Sequence, residues 1–526
     1  MTLAPGFRVD ADVAIVGSGF SGSLAALALV KRGRRVVLVE RGRHPRFAIG
    51  ESSTPLANLL IEELADRYDL PRIRLFSKWG TWQRARPDVA CGLKRGFTFF
   101  FHQPGAVFED GAEHERQLMV AASPHDRIAD THWFRPDFDR ALVEEAQAEG
   151  AVYLDMTRLD SLRQEGTRTI VEGEREGRPI RIEAEFVIDA SGPRGFLHRV
   201  MSLGQAPQRW LLPTRGLYAH FEGVERWDRL SAPSGLPPYP TDDAALHHVF
   251  RGGWMWILRF NNGITSAGAA LTDPVGAGIG AKDGSAAWER LLDMLPSVGD
   301  QFRSARATMP FVHVPRLAFR SACVVGPTWA MLPSAAGVID PLLSTGFPLT
   351  LLGILRLVDL LEGTAPGGER DAALAAYERA TLEELDATEH LVAALYATMD
   401  DPPLFKRLAL LYFAAASFSE ATRRLGRPEL APGFLLCAHP AFGPELTACA
   451  EIAMLRPEGS ARRALEARID RAIEPFDIAG LLDRTRRNWY PVRADDLIAS
   501  APKLQATPSE IHRLLERSGF TPQEAS

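Results

Sequence analysis

The chain has 526 residues, 46% of them hydrophobic and 24% charged, an ordinary globular composition with enough length for two or three packed units. Its net charge of −6 gives no support for a nucleic-acid partner, which needs a concentrated basic face. Four scattered cysteines, Cys91, Cys323, Cys437 and Cys449, have no metal-binding spacing and read as reduced thiols of a cytoplasmic protein.

In chain order, "DVAIV" (Asp12 to Val16) reads as a buried parallel strand. It runs into "GSGFSG", then an apolar helix, then a second strand, "RVVLVE", that ends on Glu40. This is a complete βαβ unit with a G-x-G-x-x-G turn and an acid about 20 residues on. Gly17 makes the tight turn, Gly19 lets a pyrophosphate approach the backbone, and Gly22 permits close helix–strand packing. Phe20 and Ser21 open the helix whose N-terminus receives the phosphates, while Glu40, followed by Arg41, meets the ribose hydroxyls. The same three glycines break the apolar run from Val13 to Val30, which also lacks a positive leader and a cleavage site. No stretch reaches the roughly 20 uninterrupted apolar residues of a membrane span, so a soluble protein without a membrane partner is expected.

A helix is expected over Asp137 to Gly150, an antiparallel meander over Thr157 to Glu185, and a buried strand in "FVIDASG", with Asp189 and Ser191 turning the chain beneath a cofactor. Leu217 to Leu271 is strand-rich, with a hairpin at "NNG". His247 and His248 are neighbours on one of these strands and face opposite ways, so they do not form a metal site. "GAGIGAKDG" (Gly276 to Gly284) reads as a flexible connection, and Arg135 as a partner of Asp137 or Asp139 at the surface. The chain turns helical from about Glu369 onward. The expected architecture is α/β (α+β mixed). A Rossmann-type FAD domain spans 1–95, 125–200 and 310–365, an antiparallel substrate sheet spans 96–124 and 201–309, and a helical C-terminal region spans 366–526. FAD, not NAD, is the expected cofactor, because the chain returns to its first sheet three times across long insertions.

Four segments, with "KRGFTF", resemble the flavin-dependent halogenases, tryptophan-halogenase-like flavoproteins within the p-hydroxybenzoate-hydroxylase-like group. They are "GSGFSG" with Glu40, "GESSTP" (Gly50 to Pro55), "GGWMWILRF" (Gly252 to Phe260) and "IDPLLSTG" (Ile339 to Gly346). The resemblance implies an enzyme that uses FADH2, O2 and chloride or bromide to make hypohalous acid. That acid travels through a tunnel to a lysine facing an electron-rich phenol, pyrrole or indole. "KRGFTF" puts Lys94 on the functional lysine; Lys78 in "SKWGTW" competes, but Gly96 and Phe99 fit the pattern behind Lys94. The resemblance further assigns Pro341, Ser344, Thr345 and Gly346 to a halide and flavin loop, and Trp254, Trp256 and Phe99 to the tunnel wall. It assigns Glu51, Ser52 and Asp340 to the cofactor, and the residues themselves add Arg127 for a phosphate, Asp189 beneath the cofactor and Ser334 for one hydrogen bond to it.

Three departures stand out. The Ile-Pro of the tryptophan signature is Leu258-Arg259, and the Gly-Asp ahead of "AAG" is Pro333-Ser334. Leu343 stands where tryptophan halogenases carry a catalytic Glu, which leans the chain towards the phenol and pyrrole types. No second dinucleotide fingerprint is present, so a separate flavin reductase is the implied partner, with the substrate free or tethered to a carrier protein. The competing readings are a flavin monooxygenase or geranylgeranyl-reductase-like enzyme, for which Lys94 has no use, and a degenerate flavoprotein serving as a binding partner.

Overall fold

The computed structural model describes residues 7–231 and 235–520. The first βαβ unit forms as read. Strand Val13–Val16, helix Phe20–Lys31 and strand Val36–Val39 lie in a six-stranded sheet with Phe186–Asp189, Trp329–Met331 and Val152–Leu154, all parallel, and Val325–Gly326 antiparallel at one edge. The central strands are buried along their whole length, which explains their unbroken Val/Ile/Leu runs. The meander forms a separate four-stranded sheet, with Thr157–Glu165, Arg168–Arg175 and Arg178–Ala184 capped by Phe7–Asp10.

The second large layer is a nine-stranded sheet built around Thr214–Glu222, Thr265–Thr272, Gly253–Arg259, Ala245–Phe250 and Gly96–Phe101. The hairpin falls at Asn261 to Gly263, as expected. Two expected boundaries shift. Arg306–Ala307 and Val312–Val314 both pair with Thr214–Glu222, so the large sheet extends past residue 309. The C-terminal region is not purely helical: Trp489–Tyr490 pairs in parallel with Gln117–Ala121 and becomes the edge strand of this sheet. Gly276 to Gly284 also differs from expectation. It carries the helix Asp273–Gly278 and a 3-10 turn at Ala281–Asp283, because Gly276 packs directly on the Arg215 side chain.

Helix Gly346–Gly363 is long and apolar enough to cross a membrane by composition alone. It is instead the core helix, with Leu351, Ile354, Leu355, Leu357 and Val358 buried among the first helix and the C-terminal helices. Its apolar character follows from being surrounded on nearly all sides. A short ribbon pairs Cys91–Lys94 with Asp130–Trp133, and Cys91–Lys94 packs against strand Gly253–Arg259 of the large sheet.

Candidate active site

A cleft of about 580 Å³ runs from the N-terminus of helix Phe20–Lys31 to the loop before helix Gly346–Gly363. At its first end Gly17 has φ +102°, and a Cβ there would come within 2.5 Å of the Ala190 carbonyl oxygen. A Cβ on Gly22 would lie 1.8 Å from the Gly17 oxygen, so only glycine lets the helix start this close to the turn. Gly19 is the N-cap residue and supplies no side-chain cap, leaving the first N–H groups of the helix open to the cleft that Gly19, Phe20 and Ser21 line.

Glu40 takes hydrogen bonds from Ser18 Oγ at 3.1 Å and Gly42 N at 3.0 Å, and pairs with Arg46 at 3.1 Å. Burial works to raise this carboxyl, but the Arg46 guanidinium and the backbone donors outweigh it and hold it below the usual carboxylate range. Arg41 and Arg46 line the cleft nearby. Buried Arg46 Nε and Glu51 Oε2 have no partner, so polar atoms of a bound molecule would complete them. Glycine cradle, uncapped helix and acid together fit an FAD.

Arg135 overturns its expected surface role. It is 5% exposed, forms two 2.8 Å bonds to Asp139, and donates to the Gly50 carbonyl at 2.9 Å from beside the Phe20 ring. The signal was present in "RPDFD", where Asp lies four residues on along a helix, but its burial was not legible. Replacing Arg135 with Met strands the fully buried Asp139, and thermal unfolding should report a loss of about 3–5 kcal/mol. Adding Asp139→Asn should recover much of it.

At the far end, Leu343 and Ser344 adopt left-handed backbone (φ 65° and 56°), which turns Pro341, Ser344, Thr345 and Gly346 into the cleft. The helix they precede likewise has no side-chain cap. Asp340 lines the cleft, yet its carboxylate is committed to Trp254 Nε1 (3.1 Å), Tyr396 Oη (2.9 Å) and Leu342 N (3.0 Å). Burial pushes it up to about 6 despite those donors. Tyr396 comes from a C-terminal helix and carried no sequence signal. Trp254 and Trp256 form the wall facing this loop, with Trp256 Nε1 on Ser266. His247 lines the cleft, while His248 on the opposite face meets His102 at 2.9 Å. Ser334 faces the cleft and reaches Ser21 Oγ at 3.4 Å, so two hydroxyls meet where the family pattern has an aspartate.

Glu51 accepts from His220 Nε2 at 2.8 Å, and Ser52 lines the cleft. Behind Ser52 lies Lys94, fully buried. Its Nζ donates to Ser52 Oγ (2.9 Å) and the Ser53 carbonyl (2.5 Å) and lies 3.8 Å from the centroid of the Phe97 ring. Phe97 is on the wall of a second cavity, of about 200 Å³, enclosed by Val120, Tyr412, Phe413, Tyr490 and Leu514. Burial pulls the Lys94 amine well below the usual lysine range, with Asp130 acting in the opposite direction.

Several assigned residues lie elsewhere. Arg127 sits exposed on the turn Asp126–Ile128 and lines neither cavity, because its backbone packs on Gly80. Asp189 turns away from the cleft: Ser191 N, Ser191 Oγ and Leu197 N occupy its carboxylate. Phe99 stacks on His247 at 4.4 Å and is core between the two cavities, lining neither. Lys78 lines the second cavity and lies 3.6 Å from Glu62, without reaching the cleft. Arg259, the departure from Pro, clamps Asp242 and the carbonyls of Val224 and Glu225, which explains the residue.

Residues 12–327 match the FAD dependent oxidoreductase family. Over 408 residues the chain is 31% identical to monodechloroaminopyrrolnitrin halogenase PrnC of Pseudomonas fluorescens, covering 74% of this chain and 68% of that protein. The chain belongs to the FAD-dependent oxidoreductases and, within them, to the flavin-dependent halogenases. The tetracycline 7-halogenase of Kitasatospora aureofaciens is 30% identical over 423 residues, 77% of this halogenase and 73% of that one. The fold is shared with halogenase PltM, solved with phloroglucinol and FAD, at a TM-score of 0.79 and 24% identity over 91% of this chain and 99% of that one. FAD is the cofactor, and halogenation of an aromatic is the reaction, of this enzyme.

Proposed function

We propose that this halogenase acts on an electron-rich aromatic held in the second cavity, and that Lys94 relays the oxidised halogen to it from the flavin cleft. Bound in the cleft, reduced FAD with O2 supplies the oxidising power that turns halide into hypohalous acid. The chain's own residues do the rest. The uncapped N-terminus of helix Gly346–Gly363, which Thr345 and Gly346 bring to the cleft, receives the halide, since a helix N-terminus favours an anion. Trp254, Trp256 and His247 wall the cleft off from the aromatic. The Lys94 amine, made less basic by burial, hydrogen-bonds hypohalous acid or carries the halogen on nitrogen.

One observation carries the reading: Lys94 Nζ is hydrogen-bonded to a serine of the first cavity and rests on a ring of the second. Rings of Phe97, Tyr412, Phe413 and Tyr490 suit a flat substrate of the phenol, pyrrole or indole kind, and the relatives include a 1H-pyrrole-2-carbonyl chlorinase and a tetracycline 7-halogenase. A single dinucleotide fingerprint and four unpaired cysteines favour a cytoplasmic enzyme served by a separate flavin reductase. The purified protein with NADH and FAD alone should give no product. Adding a flavin reductase, O2 and bromide should give brominated phenol, read by mass spectrometry. Rapid NADH oxidation by the isolated protein, or hydroxylated product, would sink the proposal.

A further inference from the structure

Lys94 is opposed across its ribbon by Asp130. Directly opposed residues of an antiparallel pair point to the same side, so this carboxylate and the Lys94 amine share one face. Asp130 is 6% exposed and lines the second cavity. Asn58, from helix Pro55–Arg67, donates to its Oδ1 at 2.8 Å. Oδ2 is buried and has no partner, and neither has Asn58 Oδ1. A buried carboxylate oxygen left unpaired is costly, and native interiors rarely keep one without a use. The acid absent at Leu343 on the flavin side is present here on the substrate side.

We propose that Asp130 is a catalytic residue that takes the substrate's ring-conjugated O–H or N–H proton, which restricts the substrates to aromatics bearing such a group. The inference rests on the proposed use of the second cavity. The electrons balance as follows for a phenol. As the substrate proton moves to Asp130 Oδ2, the oxygen lone pair feeds the ring. The ring carbon then bonds to halogen while the O–X bond of hypohalous acid breaks, and the departing hydroxide takes a proton from the Lys94 ammonium to leave as water. The substituted carbon next loses its C–H proton to the neutral Lys94 amine, and Asp130 returns its proton to the phenolate. The net change is Ar–H and HOX to Ar–X and water.

Geometry is supported by charge. Burial raises the Asp130 carboxyl towards the range of a useful base, with Lys94 opposing that rise. The other charged groups that bear on it are Glu420, which raises it further, and Arg424, which lowers it, both on helix Pro402–Arg424. Tyr412 on the same helix, itself pushed up by burial and by Asp130, remains a neutral phenol.

The test compares a phenol with its methyl ether in the reductase-coupled bromination assay, for wild type, Asp130→Asn and Asp130→Glu, with a soluble trap reporting hypohalous acid in each. Wild type should prefer the phenol by about 100-fold, the scale of a positioned base. Asp130→Asn should lose about 100-fold on the phenol and most of that preference while still releasing hypohalous acid, and Asp130→Glu should restore part of both. Equal wild-type rates on phenol and ether would overturn the proposal even if no variant folds. So would an Asp130→Asn protein with wild-type rate and selectivity, or one that loses hypohalous acid release as well. A wild-type protein that releases no hypohalous acid overturns the halogenase reading beneath it, which the trap separates from failure at Asp130.

Discussion

Lys94→Ala should leave the protein folded and FAD-bound, still oxidising bromide to hypohalous acid, yet lower brominated product by about a thousandfold. The size follows from what the amine does. It is hydrogen-bonded to Ser52 of the cleft and rests on Phe97 of the second cavity, so its loss breaks the link between the two. The variant removes a buried amine whose neighbour Asp130 can answer by taking up a proton, so the cost to stability is modest. Lys78→Ala is the matched control: it gives up a 3.6 Å contact with Glu62 and part of the second cavity's wall but no link to the cleft, so it should keep most of the turnover at saturating substrate. If Lys78→Ala loses product and Lys94→Ala does not, the relay has been assigned to the wrong lysine. Mass spectrometry of product beside a trap for free hypohalous acid distinguishes these results.

Gly22→Ala should abolish FAD retention. Its new Cβ would sit 1.8 Å from the Gly17 oxygen, 3.0 Å from the Gly17 carbon and 3.2 Å from Ala190 Cβ. The first two are backbone atoms of the tight turn and cannot rotate away, so the helix must move off the turn that receives the phosphates. Overpacking of this kind costs about 1–3 kcal/mol or more. Flavin absorbance after gel filtration and a thermal melt read both effects. Gly363→Ala, at a helix end with open space around it, should change neither.

The FAD half was legible because its demands are local. A turn that tolerates only glycine, an open helix N-terminus and an acid after the next strand all fall within one βαβ unit, and Gly17, Gly22 and Glu40 stand where the spacing put them. Lys94 was singled out by resemblance, and its surroundings were not legible. Asp130 and Asn58 lie far from it in the chain, one on either side, and only the ribbon register and helix Pro55–Arg67 bring them together. Tyr396 and Tyr490 were equally hidden, since a helix or a two-residue edge strand shows nothing of the sheet it will meet. Asp189 turns the chain with Ser191 as read, but neither it nor Arg127 lines the cleft, for the opposite reason. Their residue types suit a cofactor, but in one case the backbone, and in the other three nearby donors, had already claimed them.

The edge strand Trp489–Tyr490 and the last helix, Pro508–Ser518, wall the second cavity without lining the flavin cleft. On the proposed use of that cavity, the machinery that makes a corrosive oxidant is separable in evolution from the surface that decides what it strikes. On that reading, change confined to residues 489–518 would retarget the enzyme while the nucleotide-binding unit stays unchanged. The hazard runs the same way: a C-terminus that fits its aromatic poorly lets the oxidant escape, and the first molecules damaged are the enzyme's own methionines and thiols.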